Sequence, residues 1–347
     1  SATSEYTYTI RQTDLNLQLK QGWNWTSHNK AENLAATELE KASVSRVLTQ
    51  TGEIFNDPEL GFVGNLGMVA AHNSMKVETT AATDIALTGE MYNPAASYIT
   101  LHKGWNWLGY PMNQTMTLAE ALAYLGAEEG DVIATLNGGF SQYTNGAWTG
   151  ELEIMSPGEG YLFKAASEKS FVFNDGIVSK ARAQYGRGLN LEHSPWIVNR
   201  NRYPNMMCIT AELMVGEDNV TPDSYHVAAF AGEECRGIGK YVDGMLLISV
   251  YGQGNETIRF VAVDRESENV IEIEKTLTFV NDVVGTASAP YCLQINADDI
   301  ENSETGMPAE HIYNLHGQKM NNISDDGIYI IDGKKVIMNN KNRNEKY

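Results

Sequence analysis

The chain repeats itself. Residues 17–25 read LQLKQGWNW and residues 99–107 read ITLHKGWNW, 82 positions further on, with apolar, polar and glycine positions in correspondence. A period of that length is a whole small module, not a solenoid repeat, so both copies must reach the same fold. Beyond the GWNW segment the offset becomes 86 and is expected to hold. Val47 then matches Ile133, Gly52 matches Gly138, Phe62 matches Trp148, Gly64 matches Gly150 and Val77 matches Phe163.

Within each copy a strand of alternating apolar residues runs into the GWNW turn, where glycine frees the backbone. A helix is expected next in the second copy. Thr117 precedes Leu118, Ala121, Leu122 and Leu125, Glu120 stands at capping-box spacing, and Gly126 closes the segment. The first copy offers a weaker version at Asn33, Leu34, Ala35 and Leu39. Strand-like runs with Gly-rich turns follow, among them Asn145-Gly146, the strongest short-range hairpin signal. Each copy is therefore mostly β with one helix.

The GWNW turn followed by PGEGYLF at 157–163 resembles a tandem module of cell-surface and secreted proteins of the Bacteroidetes. The resemblance implies no catalytic residues. The first copy departs from it, with AHNSM at 71–75 in place of PGEGY.

From about residue 187 the periodicity changes, after a linker-like stretch at 182–188. Strands are expected at 206–215, 225–231, 245–251, 257–264 and 270–279, a spacing that predicts an antiparallel sandwich. AFAGEECRG at 229–237 resembles a β-sandwich domain of the same class of surface proteins. Glu233 and Glu234 there are the candidate metal ligands, since a carboxylate pair suits Ca²⁺. The alternative is a strand corner in which Arg236 pairs with a neighbouring carboxylate. With no DxDxDG loop in support, the corner is the expectation and no cofactor is called.

Residues 312–319 and 327–336, reading IYNLHGQK and GIYIIDGKKV, predict two hairpin-like pieces. They resemble the C-terminal segments of Bacteroidetes surface proteins, which serve as type IX secretion sorting signals or small terminal β-modules. The resulting organisation is mostly β with some α+β: GWNW modules at 1–93 and 94–180, a sandwich at 187–300, a small C-terminal β-module at 307–338 and a polar tail at 339–347.

Charge limits the partners. With 44 acidic against 25 basic side chains, the net charge of −19 repels phosphate backbones, which excludes nucleic acid. No apolar run reaches the roughly 20 residues that span a bilayer, and no secretion signal opens the sequence, so it reads as a mature chain. The three cysteines, at 208, 235 and 292, fit no zinc or redox spacing and are expected as thiols. None of the seven histidines forms an i, i+4 pair, and GxSxG, phosphate-loop and CxxC motifs are absent.

No catalytic residue is therefore assigned. A period of two puts Trp23 with Trp25, and Trp105 with Trp107, on one strand face, most simply the core. Tyr143 and Trp148, near a hairpin tip, are the candidate ligand-binding residues. The expected role is adhesion, binding or display at the extracellular or outer-membrane surface, with protein or glycan partners and attachment or export machinery nearby. The alternative is a carbohydrate-binding accessory protein.

Overall fold

The computed structural model describes residues 12–94, 97–174, 194–216, 218–219 and 224–296, and the strand backbones within 312–338. The linker at 182–188 and the tail at 339–347 lie outside the described residues. The chain is mostly β and divides into two compact units, 1–188 and 189–347.

The first unit holds both GWNW copies. In the first copy the elements are β1 (Gln12–Leu19), β2 (Gly22–Thr26), β3 (Leu34–Ala35), a 3₁₀ turn (Ala36–Leu39), β4 (Val44–Leu48), β5 (Glu53–Asp57), β6 (Gly61–Gly64), β7 (Met68–Val69), β8 (Met75–Thr79) and β9 (Thr83–Glu90). The second copy has β10 (Ile99–Leu101), β11 (Gly104–Gly109), β12 (Met116–Thr117), α1 (Leu118–Ala121), β13 (Val132–Thr135), β14 (Gly139–Thr144), β15 (Ala147–Gly150), β16 (Ile154–Met155), β17 (Gly160–Ala165) and β18 (Lys169–Phe171). Their sheets run β2-β8-β4-β5-β6 and β11-β17-β13-β14-β15, the same order twice. Both also carry a ribbon of first and last strands, β1-β9 and β10-β18, and a short pair, β3-β7 and β12-β16.

The register differs from the expected constant offset over one strand. Ile54 faces Val47 and Gly64, while Ser141 faces Ile133 and Gly150. Strand β14 is therefore displaced by 87, and Gly52 corresponds to Gly139. The turn before β14 is one residue longer and the turn after it one shorter. A compensated slip of this kind keeps each side chain on its face.

The helix is also shorter than its apolar spacing suggests. Only Leu118–Ala121 is α-helical, but its capping box forms: Thr117 Oγ1 accepts from Glu120 N at 3.2 Å, and Glu120 Oε2 accepts from Thr117 N at 3.1 Å. Leu122 and Leu125 remain buried beyond it, beside Ile133, Tyr161 and Phe163. In the first copy a 3₁₀ turn takes the helix's place.

The asparagine of GWNW explains why the motif recurs. Asn24 Oδ1 accepts from Lys20 N at 2.9 Å, and its Nδ2 donates to Lys20 O, Gly22 O and Val77 O at 2.8, 3.0 and 3.4 Å. Asn106 repeats this set on His102 N, His102 O, Gly104 O and Phe163 O, at 2.9, 2.7, 2.9 and 3.4 Å. One amide thus closes the turn and ties it to the neighbouring strand. Gly22 and Gly104 supply the φ of 93° and 95° that the turn requires.

In the second unit β19 (Asn205–Val215), β20 (Asp218–Asn219), β21 (Tyr225–Ala231), β22 (Glu234–Val242), β23 (Met245–Gly252), β24 (Thr257–Asp264) and β25 (Val270–Thr278) form one sheet, in the order β20-β19-β23-β22-β21-β24-β25. Alternate residues of both halves, such as Ile209, Ile248, Val227, Phe260 and Ile273, share one core, so the sheet curls into a sandwich-like shape around it. Two further strands, β26 (Val283–Val284) and β27 (Tyr291–Ile295), join β19 in parallel, a departure from the antiparallel expectation. On the outer face Trp196 packs edge-on against Phe230, 5.8 Å between ring centroids.

Strand β22 is the corner. Its first half pairs with β21 and its second, from Gly239, pairs with β23. A Cβ at Gly237 would lie 2.6 Å from the Ser249 carbonyl oxygen, so the strand passes there only with glycine, while one at Gly239 would need the Leu246 side chain, 2.7 Å away, to move. Near the C-terminus, β28 (Ile312–Asn314), β29 (Lys319–Met320), β30 (Gly327–Ile331) and β31 (Lys334–Met338) form an antiparallel sheet of order β29-β28-β30-β31.

Replacing Asn106 by alanine leaves three carbonyls short of a donor and is expected to destabilise the first unit by about 2–3 kcal/mol. Asn106→Asp is expected to be as damaging, since a carboxylate cannot donate to them. Urea unfolding of the intact chain, followed by near-UV circular dichroism, measures both; an unchanged midpoint for either refutes the account.

Candidate functional site

The paired tryptophans share a face within each copy, as their spacing requires, but it is the face away from the module's aliphatic core. Asn24 and Val77 are register partners on the core side, and Trp25 faces Lys76 on the other. In the second copy Asn106 faces Phe163 and Trp107 faces Leu162. Trp25, buried, and Trp107, half-buried, come together where the two copies meet.

That junction has an approximate twofold. Ser27 N donates to Gly158 O at 3.0 Å, and the corresponding Gly109 N donates to His72 O at 2.8 Å. Bridges join Thr26 to Glu159 and, correspondingly, Leu108 to Asn73. The backbones come close: a Cβ at Gly109 would lie 2.5 Å from Ala71 O, and one at Gly160 would lie 2.7 Å from Thr26 N and O. Gln50 reaches across from the β4–β5 turn, its amide accepting from Trp107 N at 2.9 Å and donating to Trp105 O at 3.0 Å. It thereby covers part of the edge of β11.

The symmetry breaks at Lys76, whose counterpart is Leu162. The Lys76 side chain is buried, with Nζ 4.7 Å from the Trp25 ring centroid and 4.6 Å from that of Trp107, one indole from each copy. Burial pulls its pKa down to about 7, while the two indole faces favour the cation. Trp25 and Trp107, one from each pair, therefore serve cohesion between copies, while the Trp105 ring lies by Lys164 of its own copy.

Trp148 and Tyr143 are brought together elsewhere. They are register partners in the β14–β15 hairpin, with ring centroids 5.3 Å apart at 74°. Trp148 also meets Phe163 edge-on at 6.0 Å, and Tyr143 Oη donates to Gly146 O at 3.0 Å, which fixes the hairpin tip. Both rings line a groove of about 540 Å³ between this hairpin and α1, whose other wall includes Leu118, Ala119, Leu122 and Ala123. The corresponding residues of the first copy are Phe62 and Asn56. Glu153 is the one charged residue of the lining. Sequence reasoning had the aromatic pair but not the contribution of α1, since a wall is shared between segments thirty residues apart.

No protein-family model, curated protein or solved structure matches this chain.

Glu233 and Glu234 do not form a ligand pair. Tyr203 Oη donates to Glu234 Oε2 at 2.7 Å and Arg202 to Glu234 Oε1 at 3.1 Å, while Glu233 lies 3.9 Å from Arg259. Arg236, buried, makes a two-pronged bond to Glu256 at 2.6 and 3.1 Å and stacks 3.7 Å over the Tyr203 ring. Burial works against the Glu256 carboxylate, but Arg236 holds its pKa below the usual value. Among the described residues no group of three or more His, Cys, Asp and Glu is gathered as for a metal. All three cysteines are free thiols, and burial raises the Cys235 pKa to about 12. His28 is buried, with Nε2 2.8 Å from Val69 O and Nδ1 3.3 Å from Lys30 N, and burial lowers its pKa.

A folded-state pKa of about 7 against the unfolded lysine value means that the unfolded chain binds more protons between those limits. The Lys76 contribution to stability therefore rises with pH from about 7 towards 10. Lys76→Met is expected to melt a few degrees above the wild type at pH 7, with the gap narrowing by pH 9.5. A gap that stays constant from pH 7 to 9.5 would mean that the indoles keep the amine charged and outweigh burial.

Proposed function

We propose that this chain is a non-catalytic binding protein of the bacterial cell surface or its surroundings, acting in adhesion or display. The observation that carries this reading is the groove beside Trp148 and Tyr143. Two copies keep one scaffold, down to the four hydrogen bonds of Asn24 and Asn106, yet only the second places an indole and a phenol along α1. A scaffold retained while one surface changes is how binding sites are grafted onto a fold.

The environment of the buried polar groups supports a non-catalytic role. His28 is held by backbone atoms, Arg236 by Glu256 and Tyr251 O, and Asp131 accepts from Lys169 Nζ at 2.6 Å. Each is committed to holding the fold. No helix among the described residues is long and apolar enough to cross a membrane. The outer-surface setting rests on the resemblances of the GWNW modules and of the 312–336 segment. Glycan binding is the second reading, favoured by the half-buried Trp148 ring with the Glu153 carboxylate beside it as an acceptor for hydroxyls.

The test is retention of the labelled intact chain on a glycan array and on a panel of immobilised peptides, beside Trp148→Phe, which restores the first copy's residue. Saturable retention on one of these surfaces, reduced about tenfold or more by the substitution, is expected. Retention on neither, or retention indifferent to the substitution, overturns the reading.

A further inference from the structure

The groove carries more than its aromatic pair, and the following rests on the binding role just proposed. Its wall from β15 belongs to the outer strand of the five-stranded sheet, so a strand edge that no other strand pairs with among the described residues runs beside it. An exposed edge is a template for one more strand. The remaining lining is chiefly small and aliphatic, as at Ala119, Ala123 and Ala147. Its hydroxyls are engaged already: Thr117 Oγ1 donates to Glu120 Oε2 at 2.8 Å, and Tyr143 Oη to Gly146 O. An oligosaccharide buried here would find few partners for its own hydroxyls, which costs free energy, whereas apolar side chains need none.

Charge narrows the occupant further. Residues 104–163, which build α1, the hairpin and the groove, contain no lysine, arginine or histidine and seven acidic residues, of which Glu128 and Asp131 are paired with Lys169. The corresponding part of the first copy holds Lys30, Lys41, Arg46 and Lys76. The one charged group of the lining is the exposed Glu153 carboxylate, and Glu129 lies at the hairpin tip, accepting from Asn145 N at 2.6 Å. We propose that the groove receives an extended segment of a partner protein, basic and apolar in composition, which pairs with the edge of β15, lays an apolar side chain on Trp148 and sets a lysine or arginine against Glu153.

The experiment is fluorescence anisotropy of the intact chain with a ten-residue peptide of alternating valine and lysine, and with its valine–glutamate twin, at physiological salt. The basic peptide is expected to bind at least tenfold more tightly than the acidic one. Its affinity should fall about tenfold in Glu153→Lys and again in Trp148→Phe. The same charge change in the first copy, Asp84→Lys, should have little effect, which separates the groove from general attraction to a chain of net charge −19. Equal binding of the two peptides overturns the proposal, as does equal loss in Glu153→Lys and Asp84→Lys. Retention confined to glycans and sensitive to Trp148→Phe would overturn it too, while leaving the binding role standing.

Discussion

The first unit depends on how closely two backbones can approach. Gly109 and Gly160 stand where any side chain would meet the main chain of the other copy, and their absence of a Cβ lets Ser27 and Gly109 reach carbonyls across the junction. Close approach then turns the tryptophan faces of the two sheets towards one another. Trp25 and Trp107 would otherwise be large apolar surfaces open to water; at the junction they enclose Lys76. An isologous contact of this type pairs corresponding residues reciprocally, as a twofold dimer does. Here the partners lie on one chain, so the association costs little entropy of encounter.

That arrangement explains which parts of the fold were legible in the sequence. The duplication, the hairpins and the sandwich strands at 225–231 and 257–264 follow from local periodicity and turn chemistry, both written in consecutive residues. The role of Asn24 and Asn106 is not, because each amide binds the strand that follows some fifty residues later. The tryptophans were legible as one-faced but not as to which face, since alternation states that two residues agree and leaves open what covers them. The slip to 87 at β14 was hidden because the two turns around it compensate. For the groove, the pairing of Trp148 with Tyr143 was legible from the hairpin, whereas the α1 wall required the tertiary fold.

In the second unit the most recognisable sequence, GEECRG, marks the place where one sheet turns into the other half of its own sandwich. Glycines allow the crossing, and the charges around it secure it. Arg236 sits beneath Tyr203 and is held by Glu256 and Tyr251 O, with Glu234 on its other side at 3.6 Å. A buried guanidinium is costly unless its donors are met; here Nη1 and Nη2 bond to Tyr251 O and Glu256, while Nε is buried without a hydrogen bond and has only the Glu234 carboxylate at 3.6 Å. The acidic pair that sequence alone offers to a cation is thus already divided between different arginines.

Symmetry makes the departures informative. Where the two copies agree, in Asn24 and Asn106, Gly22 and Gly104, or the reciprocal junction bonds, the shared residue answers to the shared fold. Where they differ, the residue answers to its own surroundings in that copy. Lys76 against Leu162 falls on the junction and is accounted for by the two indoles it separates. Trp148 against Phe62 and Tyr143 against Asn56 fall on an open groove, together with the loss of every basic residue between 104 and 163. Trp148 serves the scaffold as well, edge-on to Phe163 where the first copy has Val77, yet its ring also borders the groove, with Glu153 in the same lining and, among the described residues, the outer strand of the sheet alongside.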